Sequence, residues 1–107
     1  MQGSSPQVEV RFRTRKLEKQ YQSHKEAERA YGQEVARKYI QRINIVKQAR
    51  DIEELKALPG LHCHPLKGDR RGQWAINLTG FYRLIFTLEG ETMEIVRIEE
   101  VSKHYDD

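Results

Sequence analysis

Residues 61–86 read LHCHPLKGDRRGQWAINLTGFYRLIF, and the fold follows from them. Trp74, Ile76 and Leu78 recur at period two, and so do Tyr82, Leu84 and Phe86. Strand side chains alternate between faces, so the two trios mark half-buried strands over Gln73 to Leu78 and Phe81 to Leu88. Thr79 and Gly80 make the turn between them. Leu61 to Leu66 reads as a further strand ahead of both. Lys67, Gly68, Asp69, Arg70, Arg71 and Gly72 then form a tight cationic loop. Glycines let backbone approach a ligand closely, and cations on a strand-braced loop suit a phosphate-rich ligand. Arg83 lies mid-strand, with Phe81 and Ile85 as same-face neighbours. A cation there is costly unless it pairs with an acid, Glu94 or Glu99 being the candidates, or holds an anion.

Downstream, Glu89-Gly90 marks a hairpin turn before a last strand, Met93 to Val101. Its apolar residues fall on both faces (Met93 and Ile95 against Val96 and Ile98), which predicts a central or covered strand. Upstream, Val8, Val10 and Phe12 alternate with Glu9 and Arg11 in a short N-terminal strand. Thr14 is the N-cap of a helix from Arg15, and Ser23 with Glu26 forms a second capping signal. From His24 to Arg50 an apolar stripe runs through Ala27, Tyr31, Val35, Ala36, Tyr39, Ile43 and Val46. Gly32 interrupts that stripe and either divides two helices or weakens one. Arg29, Arg37, Lys38, Arg42 and Lys47 lie mostly off it, as a solvated face or one along a nucleic-acid backbone. Asp51 caps a short piece, Ile52 to Leu58, ended by Pro59-Gly60.

A strand, then helices, then a strand meander is an α+β order. The expectation is an N-terminal strand and two or three helices on one face of a four-stranded, mainly antiparallel sheet. The other face is left for polar chemistry. Residues 1–7 read as a flexible leader and residues 8–107 as one domain.

The 107 residues carry a net charge of +3, and 33% of them are charged. The basic charge is concentrated early: residues 1–58 hold 13 Lys/Arg against 8 Asp/Glu, whereas residues 88–107 hold 2 against 7. The lone Cys63 excludes an intrachain disulfide and fits a reducing compartment. No apolar run approaches the ~20 residues of a membrane span. A cytoplasmic protein without membrane association is expected.

His62, Cys63 and His64 invite a metal reading, but alternation turns Cys63 away from the two histidines. A closed zinc site needs four ligands, and there is no second cysteine. No metal and no cofactor is expected. Phosphate-binding loop, dinucleotide, nucleophile-elbow and HExxH motifs are missing from the sequence. An enzyme built here works with lysine, arginine, histidine and tyrosine, which can cleave RNA without metal. His104 and Tyr105 in the polar tail can join that set if the last strand returns them to the open face.

HPLKGDRRGQWAI followed by FYRLIF resembles the RelE/ParE superfamily of type II toxins, most closely its HigB-like, plasmid maintenance killer branch. VEVRFRTRKLEKQY, the LPG before the strands and the ending VRIEEVSKHYDD resemble it too. The resemblance implies a microbial-RNase-like α+β fold and ribosome-dependent mRNA cleavage that inhibits translation. It implies a cognate HigA-like, helix-turn-helix antitoxin, with operator DNA bound only through the antitoxin complex. It places His64 and Lys67 at the active site, and matches Arg83 to the family's strand arginine and Arg70 to a loop position that can contact RNA phosphate. The catalytic set expected is Lys67, Arg83, His64, His104 and Tyr105, with RNA contacts from Lys67, Arg70 and Arg71. Relatives often end in Asp-Tyr-His. That place falls on Glu99 to Ser102 in one register and on Lys103-His104-Tyr105 in another, and neither reproduces the triplet. The alternative is a non-nuclease on the same fold: a ParE-like gyrase poison, or a degenerate toxin in an antitoxin–DNA repressor complex.

Overall fold

A computed structural model describes residues 7–103. In chain order the elements are β1 (Glu9–Phe12), α1 (Arg15–Gln22), α2 (His24–Tyr31), α3 (Gln33–Gln48), α4 (Ile52–Ala57), β2 (His64–Pro65), β3 (Gln73–Asn77), β4 (Tyr82–Glu89) and β5 (Ile95–Lys103). A 3-10 turn, Gly68–Arg70, lies between β2 and β3. The leader assigned to residues 1–7 falls, but for Gln7, outside the described residues, as do His104 and Tyr105.

The helix starts are set by local chemistry. Thr14, Ser23 and Asp51 each accept a backbone N–H of the first turn, from Leu17, Glu26 and Glu54, which satisfies donors that the helix itself cannot. Gly32 has φ 89° and separates α2 from α3. That left-handed φ is open to glycine and strained for other residues. Among the described residues there are four helices, more than the two or three expected, because Ser23 and Gly32 both break the run.

Among the described residues the sheet has five strands in the order β1-β5-β4-β3-β2, with β1 parallel to β5 and the other pairs antiparallel. It is therefore mixed and has one strand more than the four expected. The core lies between the helices and one sheet face. Ala27, Val35, Tyr39, Ile43, Val46 and Leu55 pack from the helices onto Ile76, Leu78, Leu84, Phe86, Val96 and Ile98. Tyr39 is fully buried and donates its hydroxyl to the Leu17 carbonyl at 2.8 Å, joining α3 to α1.

Two strand expectations are corrected. Leu61 to Leu66 is not a continuous strand: His62 takes φ 51°, and only His64 and Pro65 pair with β3. Met93 takes φ 57° in the turn, so β5 starts at Ile95. β5 is central, between β1 and β4, and of its apolar residues Ile95 alone lies on the face away from the core, which is otherwise polar. A bulge sets Glu100 opposite Ile85 and Ile98 opposite Phe86, with Glu99 as the extra residue. The bulge lets Val96, Ile98 and Val101 all serve the core, while the opposite face carries Arg97, Glu99 and Glu100.

Candidate functional site

Register fixes what lies on the helix-free face. Arg83 pairs with Asn77 on one side and Ser102 on the other. The next row is His64, Ala75, Ile85 and Glu100, and beyond it lie Gln73, Thr87 and Arg97. Side chains two residues apart on a strand share a face at about 6.8 Å spacing. His64 and Arg83 are thus in adjacent rows of one face, on β2 and β4.

The loop joins this surface through Arg70. Its Nη1 donates to Gln73 Oε1 at 2.9 Å and to Glu100 Oε2 at 3.1 Å. The guanidinium bridges from the loop to β5, two strands away from β3. Ala75 and Ile85, both fully buried although they alternate with polar open-face residues, lie in the row that it reaches. Lys67 precedes the 3-10 turn and is exposed, as is Arg71. Asp69 is exposed as well, so the loop carries three cationic side chains against one carboxylate.

Arg83 is half-buried, with Nε out of contact with solvent. Arg83 makes a contact of its own, and Glu99 and Glu94, the two acids considered beside it, are each engaged by other groups as well. Glu99 accepts from Thr87 Oγ1 at 3.0 Å and lies 3.7 Å from Arg97 and 3.8 Å from Arg13. Glu94 accepts from its own backbone N–H and from the hydroxyl and backbone N–H of Thr92, and these hydrogen bonds, its own backbone first, hold its carboxyl below the usual range. Glu100 is the residue whose place on the face is clearest only from the structure. Its bulge shifts the strand's parity, so simple alternation misplaces it.

His62 and His64 have ring centroids 4.7 Å apart, and His64 Nδ1 lies 2.8 Å from the His62 carbonyl. Cys63 faces the core, and burial raises its thiol to about 11. Among the described residues no three His, Cys, Asp or Glu side chains converge as a metal site. The off-stripe cations of the helices are partly committed to the fold. Arg42 Nε donates to the Asn77 carbonyl at 3.0 Å, Lys47 sits 5.1 Å over the Tyr21 ring and Arg29 pairs with Glu26. Among the described residues no helix is long and apolar enough to cross a membrane.

The fold is that of the RelE-like toxins. A YoeB/ParE toxin from Agrobacterium tumefaciens superposes with a TM-score of 0.59 at 17% identity, over 92% of this chain and 100% of that one. The E. coli DinJ-YafQ toxin-antitoxin complex gives 0.59 at 17%, over 92% of this chain and 93% of that one. The YoeB-YefM complex from Staphylococcus aureus gives 0.58 at 12%, over 92% and 99%. At these identities the likeness concerns the fold. The sequence goes further: the model of the HigB-like toxin, described as the RelE-like toxin of the type II toxin-antitoxin system HigB, matches residues 10–99. The chain belongs to that family and is a toxin of the type II toxin-antitoxin class. No curated protein matches it.

Proposed function

We propose that this toxin is a metal-independent endoribonuclease that cleaves mRNA on the ribosome. The observation that carries the reading is the single helix-free face shared by His64, Arg70 and Arg83, with the Lys67 loop at its border. In the proposed step a 2′-hydroxyl attacks the adjacent phosphorus while a base removes its proton. The P–O5′ bond breaks, the leaving oxygen takes a proton, and the products are a 2′,3′-cyclic phosphate and a 5′-hydroxyl. Lys67 and Arg83 stabilise the charge growing on phosphate, a kind of contribution worth about 10²–10³ in rate per group. His64 transfers protons, as do His104 and Tyr105 in the tail that follows Lys103. Lys67, Arg70 and Arg71 hold the RNA backbone.

The partners proposed are the ribosome with its mRNA and a cognate HigA-like antitoxin, with operator DNA bound through that complex. The family and the antitoxin complexes among the similar structures support the antitoxin. The site proposed is cytoplasmic. One observation favours the non-nuclease alternative: Glu99 and Glu100 stand on the same face as the cations and engage Arg70, Arg97 and Arg13.

The test is induction of wild type and of a Lys67→Ala/Arg83→Ala variant in cells, with growth and primer extension on cellular mRNA as readouts. Codon-phased 5′ ends with wild type alone are the expected result. Growth arrest without mRNA ends points to a gyrase poison. Equal toxicity and equal cleavage in both strains remove these residues from the mechanism.

A further inference from the structure

Among the described residues three large apolar side chains are exposed: Leu58, Phe81 and Met93. Leu58 closes α4, and Met93 lies in the turn before β5. Phe81 is different in position. It precedes β4 directly, in the turn from β3 and two residues before Arg83, next to the strand end that carries Arg83 on the helix-free face. It is 66% exposed.

The backbone around it is fixed. Leu78 and Thr79 both donate to the Tyr82 carbonyl, at 2.9 and 3.1 Å, and the Phe81 N–H donates to Thr79 Oγ1 at 3.3 Å. Arg42 anchors the end of β3 through the Asn77 carbonyl, directly across from Arg83. The turn therefore presents a flat apolar ring to water from a braced support. Two residues of extended chain span at most about 7 Å, so Phe81 and Arg83 are close enough to meet neighbouring parts of one nucleotide strand.

We propose that Phe81 is a stacking platform for a base of single-stranded RNA whose backbone phosphate is held by Arg83, with purines favoured for their larger face. The proposal rests on the reading of this face as an RNA site. Stacking accepts any base in principle and gives preference through area, unlike hydrogen-bond readout. Phe81 would thus set how tightly a codon is held and bias which nucleotide lies beside the scissile bond.

The experiment uses ribosomes programmed with a fluorescent mRNA and the full chain carrying Lys67→Ala, which slows cutting during the measurement. Phe81→Ala is expected to weaken binding about 5- to 150-fold, the range measured for loss of one base–aromatic stack. Phe81→Trp is expected to keep affinity. Phe81→Leu, which retains apolar bulk without a flat face, is expected to fall with alanine. An abasic nucleotide in the codon is expected to cost the parent a similar factor and to cost Phe81→Ala nothing further. Equal binding by Phe81→Ala overturns the proposal, and so does a loss confined to antitoxin capture. Cleavage is scored separately with Lys67 intact. If wild type leaves mRNA uncut while the Phe81 series shows the stacking pattern, the nuclease reading fails and the platform stands. If wild type neither binds nor cuts, both fail. Thermal melting of each variant separates these outcomes from loss of fold.

Discussion

Arg70 Nη1 lies 3.1 Å from Glu100 Oε2, so the cationic loop is tied across β4 to the bulge of β5. The two side chains are 37% and 43% exposed, and pairs of that kind contribute about 0–1 kcal/mol. The pair matters more for where it leaves Arg70 pointing. Glu100→Gln removes the competing charge and frees the guanidinium for phosphate. The expected result is severalfold tighter binding to a short RNA at low salt, with the melting temperature little changed. Arg70→Ala is expected to weaken binding and to lower the slope of log affinity against log salt by about 0.7, one phosphate contact on a single strand. No change in either variant places Arg70 outside the RNA path.

The same pair shows how far the sequence carries. Thr14, Ser23 and Asp51 cap helices where local pattern puts them, because a cap is a contact three residues long. The period-two trios on β3 and β4 lie on the core face for the same reason, since alternation is local. The cluster of cations on the loop was legible, and so was Arg83 as an embedded charge. Arg70's partner was not, because Glu100 is 30 residues away and one bulge out of phase. His62 likewise breaks an apparent strand by a positive φ that its flanking Leu61 and Cys63, both buried, disguise. The place of His104 and Tyr105 lies beyond the described residues.

Tyr39 links α3 to the Leu17 carbonyl from a fully buried position. Tyr39→Phe keeps the ring and deletes one buried hydrogen bond, with an expected cost of about 1 kcal/mol, or roughly 4–8 °C in melting temperature. Burial raises the Tyr39 hydroxyl well above its ordinary value. Its ionisation in the unfolded chain therefore removes stability as pH rises past about 10. Wild type is expected to lose stability more steeply than Tyr39→Phe above that pH, measured by urea unfolding at stepped pH. Parallel curves would show that Tyr39 does not govern alkaline unfolding.

Cys63 is a core residue whose thiol burial pushes up from 9.0 to about 11, with Lys56 opposing the shift. Two units leave about a hundredfold less thiolate at pH 8, and the thiolate is the species that reacts. Iodoacetamide is expected to label native protein at least that much more slowly than protein in urea. The folded pKa lies above the unfolded one, so the thiol's contribution holds below pH 9 and is lost as pH rises toward 11. Cys63→Ala is expected to remove that portion of the pH dependence. Labelling at equal rates in both states would place the thiol in solvent.

Arg83 combines a half-buried stem with a head on the face shared with His64, between Asn77 and Ser102. A guanidinium offers five donors in a planar fork, which matches two phosphate oxygens at once. Lysine keeps the charge but offers a point rather than a fork. Arg83→Lys should therefore preserve charge and strand pairing while losing the bidentate geometry. The expected outcome is a melting temperature within a few degrees of wild type and mRNA cleavage reduced at least about tenfold, with the larger share in the rate at saturation. Single-turnover cleavage on programmed ribosomes measures both. A full rate with lysine would reduce Arg83 to a source of charge, and a loss seen only in half-saturation would make it a residue of binding rather than of the chemical step.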